Sequence, residues 1–194
     1  EVKTDIHPIG IYTLPEMELP FDDMADIMAE IRRVAAAILD HDKFPVVLGG
    51  EHSITAPVVA AMAAKHPGLS VLQIDAHADL RDTYMGTPFN HACAMRRVLE
   101  YARCTQVGIR SMSTEEARVA PTLPTEIFYD VSMRHDGNWI DRIVESLGET
   151  VYITIDCDGM DPAIMPATGT PEPGGLSWYE MLSLLRAVIS ARRV

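Results

Sequence analysis

Between residues 24 and 38 the apolar positions Met24, Ile27, Met28, Ile31, Val34, Ala35 and Ile38 recur at spacings of three and four. That period predicts an amphipathic helix running on from Asp22. At residues 45–50 the pattern changes to an unbroken apolar run closed by two glycines, PVVLGG, which predicts a buried strand. Residues 53–66 predict a second helix, with Ser53 near its cap and Pro57 in its first turn. The alternation then continues: strand at 70–75 (SVLQID), helix at 91–101, strand at 105–110 (TQVGIR), a weaker strand at 126–130 (EIFYD), and helix at 139–147. Residues 151–156 (VYITID) are strong β-formers, and 177–191 close the chain with a helix. Residues 1–20 carry Pro8, Pro15 and Pro20 and predict a short strand with a loop.

Strands alternating with helices imply an α/β fold of three layers, α/β/α, around a mostly parallel central sheet. No repeat, linker or low-complexity tract interrupts residues 1–194, so one domain is expected. The chain opens on Glu1 instead of methionine and ends inside a helix pattern, which predicts part of a longer protein.

Composition narrows the function. At 47% apolar and 23% charged residues the chain is ordinary for a globular protein. A net charge of −12 argues against a nucleic-acid partner, whose phosphates need a basic face, and favours metal cations and cationic substrates. No apolar run approaches the roughly 18 residues of a membrane span, and no signal-peptide pattern opens the chain. Cys93, Cys104 and Cys157 are odd in number and lack CxxC spacing. They read as reduced core thiols of a cytoplasmic protein.

The chemistry gathers where strands end. Glu51 and His52 follow VVLGG; Asp75, His77 and Asp79 follow LQI; Asp156 and Asp158 follow VYITI. Every second residue of an extended segment points to the same side, and a parallel sheet delivers all its carboxyl ends to one edge. Two imidazoles and four carboxylates are therefore expected to converge. A single DxHxD is more often a solvated turn, but three such groups at three strand ends are a different matter. Four crowded carboxylates repel unless cations compensate, and two divalent ions balance them. Oxygen-rich donors with a minority of nitrogen favour manganese over zinc. Cys157, between two candidate ligands, alternates to the opposite face. His7, His41, His66 and His135 have no partners at useful spacing and read as surface or packing residues.

GGEHS (49–53), DAHADLRD (75–82), IDCDGMDP (155–162) and ATGTPEPGGL (167–176) resemble, in order, the signatures of the ureohydrolases, the arginase and agmatinase enzymes. The resemblance runs from about residue 45 to 190. It implies the arginase-like α/β/α fold and two Mn(2+) ions that release urea from guanidino compounds through a hydroxide bridging them. It also implies that His52 and Asp79 bind one ion, that His77 and Asp158 bind the other, and that Asp75 and Asp156 bridge. His91 matches a proton-transfer histidine, and Glu180 a glutamate that holds the substrate guanidinium. Glu51 could orient His52, or simply lie in a solvated turn. A trimer or hexamer of identical chains is implied by the same analogy.

These roles make chemical sense. Resonance makes a guanidinium carbon a poor electrophile, so its hydrolysis needs a strong nucleophile, and metal ions supply hydroxide near neutral pH. Arg81 stands where arginases carry an asparagine, and GIRSMSTEE (108–116) looks like the agmatinase version. The expected substrate is thus a small cationic guanidino compound, agmatine first, yielding putrescine and urea. Asn90 departs from the serine common in agmatinases, so a guanidinobutyrase-type enzyme or an arginase is an alternative. A binuclear metal phosphoesterase is a more distant one, and a metal-binding relative without activity is another.

Overall fold

β1 (Ser70–Ile74) is buried along its whole length, because it lies between two neighbours in a four-stranded sheet. The computed structural model describes residues 5, 7–19 and 23–194. The strand order is β3 (Thr125–Tyr129), β2 (Arg103–Ile109), β1, β4 (Val151–Ile155), and every pairing is parallel. Ile74 pairs with Ile155, so the residues that follow, Asp75 and Asp156, leave the sheet side by side although 81 positions apart in sequence. Asp156 N–H donates to the Ile74 carbonyl at 2.9 Å, and Asp75 N–H to that of Val107 at 3.0 Å. The register of the sheet is what brings these two carboxylates together.

Helices cover both faces. Leu72 and Ile74 join Val107, Ile143, Leu184 and Val188 in one cluster, under α6 (Trp139–Ser146) and α7 (Trp178–Ala191). The alternate residue Val71 joins Val59, Met95 and Val98 in a second cluster, under α2 (Thr55–Lys65) and α3 (Ala94–Val98). α1 (Met24–Asp40) packs its Ile31, Ala35 and Leu39 on Val58 and Ala61 of α2, outside the sheet. Short helices α4 (Thr114–Val119) and α5 (Asp130–Met133) flank β3. Among the described residues, no helix is long and apolar enough to cross a membrane.

The predicted elements are largely present, with three corrections. Residues 45–50 form no strand, and Phe44, Val46 and Leu48 are 69%, 74% and 91% exposed. A strand exists only through its ladder, and no described residue pairs with this segment. Apolar character alone cannot substitute for those hydrogen bonds. Among the described residues, the outer side of β4 is paired only just before its start, where Arg193 bridges Thr150 in parallel. Within residues 1–20 the described part holds one 3-10 turn, His7–Ile9, and no strand; residues 1–4, 6 and 20 lie outside the described set. Asp22, the expected start of the first helix, also lies outside it, and Asp23 caps α1 through Ala25 N–H at 2.8 Å. The third correction concerns Cys157, which is exposed, unlike the buried Cys93 and Cys104, because β4 has ended before it.

Gly159 lies against the turn after β1. A Cβ there would stand 2.8 Å from Asp75 N and 3.0 Å from its Cα, closer than packed atoms approach. We expect Gly159→Ala to lower stability by about 1–3 kcal/mol through overpacking, whereas Gly137→Ala, in open space, stays near neutral. Urea unfolding of the two variants checks the difference.

Candidate metal centre

Three segments deliver the site. The first is a 3-10 turn, His52–Ile54, capped by Glu51, whose carboxylate accepts Ser53 N–H at 2.7 Å. The second is the turn after β1, where Asp75 Oδ1 accepts His77 N–H at 2.7 Å. Asp79 in that turn has φ +53, so the strand's alternation has already broken down when it points inward. The third is a 3-10 turn after β4, Cys157–Gly159, in which Asp156 accepts the Asp158 N–H at 3.1 Å.

The side chains converge. His52 Nδ1 lies 3.1 Å from Asp75 Oδ2, 3.1 Å from Asp79 Oδ2 and 3.5 Å from Asp156 Oδ2. His77 Nδ1 lies 3.2 Å from Asp158 Oδ2 and 3.5 Å from Asp75 Oδ1. Two sets of donor atoms could each hold a cation, His52 with Asp75 and Asp156, and His77 with Asp75 and Asp158. Asp75 belongs to both. They sit in a cleft of about 610 Å³ that is also lined by Glu51, Asp79, Arg81, Tyr84, His91, Glu116 and Thr170.

One atom tests whether a cation fits. His52 Nδ1 is buried and makes no hydrogen bond, although three carboxylates surround it. Its other nitrogen, Nε2, is engaged at 3.1 Å with Thr154 Oγ1, which fixes the ring. A buried ring nitrogen within 3.5 Å of three carboxylates, with no hydrogen bond to any of them, fits a position built for a metal ligand.

The electrostatics agree. Burial pushes Asp79 up to about 7, and the negative charge of Asp75 adds to the effect. Burial and the charge of Asp75 raise Asp156 as well. Asp75 is buried too, but the imidazoles of His52 and His77 beside it, at 3.1 and 3.5 Å, hold it below the usual carboxylate range. His77 rises to about 10, chiefly through hydrogen bonds to Asp158 and Asp75. Burial pulls His52 down, yet Asp75 and Asp79 outweigh it and hold it well above the ordinary imidazole value. Without a cation the site must therefore retain protons.

The other expected residues fall in two places. His91 lies in the cleft, half exposed, with Nδ1 3.1 Å from Glu51 Oε1, and Tyr84 meets its ring edge-on at 6.3 Å. Glu51 thus orients His91, not His52, since its carboxylate is turned toward the His91 and Ser53 amides. Glu180 does not line the cleft. It closes a capping box with Ser177 at the start of α7 and accepts Arg134 Nη1 at 3.1 Å.

Sequence reasoning missed several supports. Thr170 Oγ1 donates to Asp158 Oδ2 at 3.2 Å. Arg110 Nη2 donates to the carbonyls of Asp158 (2.6 Å) and Glu172 (3.0 Å), pinning the loop that follows β4. Glu116 accepts Leu80 N–H at 2.9 Å and Ser113 N–H at 2.7 Å, clamping the turn that carries Asp79. Thr154 and Gln73 each stand two places before a candidate ligand on a strand, and that spacing was the available signal.

Comparison with known proteins matches this architecture. The Arginase family model matches residues 1–194. An N(1)-aminopropylagmatine ureohydrolase of Synechocystis sp. is 40% identical over 97% of this chain and 64% of its own length. An agmatinase of Bacillus cereus is 34% identical over 96% of this chain and 64% of its own. The crystal structure of agmatine ureohydrolase of Thermoplasma volcanium superposes with a TM-score of 0.80 at 36% identity, covering 91% of this chain and 60% of that one. The chain thus spans somewhat under two thirds of the length of the relatives it matches.

The raised imidazole predicts a pH dependence for the metal-free protein. His77 keeps its proton in the fold up to about 10, while the unfolded chain releases it near 6.5. Its contribution is complete below pH 6.5 and is lost as pH rises through about 10. Asp79, raised to about 7, acts in the same sense at lower pH, because its ionisation weakens the fold. Scanning calorimetry in chelator should show the unfolding midpoint falling between pH 6.5 and 10, and a midpoint that rises across this window contradicts the assignment.

Proposed function

The chain belongs to the arginase family, and we propose that its protein hydrolyses a small cationic guanidino compound at a centre of two divalent cations, with agmatine the first candidate substrate. The observation that carries this reading is the pair of donor sets sharing Asp75 in the cleft. In the proposed arrangement His52 and Asp79 serve one cation, His77 and Asp158 the other, and Asp75 and Asp156 both. Manganese is the ion we assign, on the oxygen-rich donor set. Held there, such ions supply hydroxide by lowering the pKa of water from about 15.7 toward roughly 7.

The chain's own residues do the rest. Asp79 accepts a hydrogen bond from the attacking water and aims it. His91 has its Nδ1 occupied by Glu51, so Nε2 is the nitrogen that can pass a proton to the departing amine. Glu180 is assigned to the substrate guanidinium on the family resemblance alone; here its carboxylate is paired with Arg134 and does not line the cleft. The protein is expected to assemble as a trimer or hexamer, in keeping with the family resemblance.

Charge favours a cationic tail over an amino-acid head. The cleft carries Glu51 and Glu116 besides the candidate ligands. Apart from its histidines, its one cation among the described residues is Arg81, which lies 3.8 Å from Glu116 and stacks on Tyr84 at 4.7 Å. Among the described residues, the cleft therefore offers no unpaired Lys or Arg to receive the carboxylate of arginine or a phosphate. The aminopropyl derivative of agmatine is the second substrate we propose, because the 40% identical relative is named for it.

Urea release should be measured on agmatine, its aminopropyl derivative, 4-guanidinobutyrate and arginine, beside a generic phosphate ester, with and without added manganese. We expect manganese-dependent urea from the first two and none from arginine; ester cleavage without urea would contradict the reading. His91→Asn should keep its metal and lose about 10²–10⁴-fold in kcat, and loss of metal from it would reassign the residue. Asp156→Asn should lose metal and turnover together.

A further inference from the structure

Two glutamines lie side by side in the centre of the sheet, where apolar side chains would pack at lower cost. Gln73 on β1 and Gln106 on β2 are both completely buried and are register partners. Thr154 on β4 is the partner of Gln73 on its other side, so a polar row of three crosses the sheet beneath the cleft. Burying an amide costs free energy unless every polar atom finds a partner. Here each does.

We infer that Gln73 is a positioning residue for the metal centre, fixed by a relay of side-chain hydrogen bonds that begins at Thr125. The inference rests on the metal-centre reading above. Thr125 Oγ1 donates to Gln106 Oε1 at 3.0 Å. Gln106 Nε2 donates to Gln73 Oε1 at 2.5 Å and to the Ala78 carbonyl at 2.6 Å. Gln73 Nε2 donates to Asp75 Oδ2 at 2.8 Å and to the His77 carbonyl at 3.2 Å. The carboxylate and the two carbonyls accept only, so each amide has a single orientation that satisfies its neighbours. The side-chain links from Thr125 through Gln106 and Gln73 all donate in the direction of Asp75.

The relay acts on the carboxylate shared by both donor sets. Asp75 Oδ1 is tied by His77 N–H and faces His77 Nδ1; Oδ2 is tied by Gln73 and faces His52 Nδ1. Each oxygen thus keeps one lateral hydrogen bond and presents its remaining lone pair to a different imidazole. Rotation of the carboxylate about its Cβ–Cγ bond would break both bonds and spoil both donor sets. The same glutamines hold the His77 and Ala78 carbonyls, so the turn that carries His77 is set together with Asp75. Thr154 fixes His52 from the same row.

Gln73→Met keeps length and bulk and removes the donor. Titration of the metal-free protein with Mn(2+) by calorimetry should show affinity weakened roughly 10–100-fold, the range for lost supports of metal ligands. The visible spectrum of the cobalt-substituted protein should change with it. Thr105→Val, which removes a different, partly buried hydrogen bond of β2 (to Ser146 Oγ, 2.8 Å), controls for stability loss and should alter neither. Thr125→Val, at the far end of the relay, should weaken affinity in the same direction by less, and it serves where Gln73→Met does not fold. Unchanged manganese affinity in folded Gln73→Met or Thr125→Val, or an equal loss in Thr105→Val, overturns the inference. Absence of metal binding by the unaltered protein overturns the metal-centre reading itself.

Discussion

Like charges held close together govern this structure. The carboxylates of Asp75, Asp79 and Asp156 each stand within 3.5 Å of one imidazole nitrogen, and Asp158 stands 3.2 Å from a second imidazole. Two imidazoles can bring at most two positive charges against four negative ones. The shortfall is visible in Asp79 and Asp156, both pushed up toward the neutral form. It is visible again in a buried ring nitrogen that no hydrogen bond satisfies. Divalent cations remove both anomalies at once, whereas a proton removes only one charge at a time. Burial makes the compensation necessary, because solvent cannot screen these groups.

The rest of the fold holds the repelling groups together. Parallel pairing of β1 with β4 sends two of the four carboxylates out side by side. Gly159 lets the turn after β4 lie against the backbone of Asp75. Arg110 gathers carbonyls of the loop after β4, and Glu116 clamps the turn after β1. Beneath them the row of Thr154, Gln73 and Gln106 ties His52 and Asp75 to the sheet. These supports are hydrogen bonds between parts of the chain distant in sequence, so each matters to the site only once the sheet has formed.

How much of this was legible in the sequence depends on the scale at which each feature is decided. Helix α1 shows in its three-and-four spacing, and β1 and β4 in their runs of strand-formers, because burial on the scale of one element is written locally. The six candidate ligands show because each follows a strand or a glycine turn at a spacing of two. Residues 45–50 have the right composition, but a strand needs a partner, and local composition carries no record of one. Glu51 could be seen to act locally, but not that it would serve His91, 40 positions away. Gln73 and Thr154 were in plain view as polar residues inside apolar strands. Their meaning depends on register across the sheet, which no single segment contains. Glu180 shows the opposite problem: a motif assigns it to substrate, while its contacts are with Ser177 and Arg134.

The central claim is that two cations, sharing Asp75, neutralise this cluster. Anomalous diffraction from crystals grown with manganese tests it most directly. Two peaks are expected in the cleft, roughly 3.5–4 Å apart, one beside His52 and one beside His77, each within bonding distance of Asp75. A single peak, or a pair that leaves Asp75 uncoordinated, would contradict it.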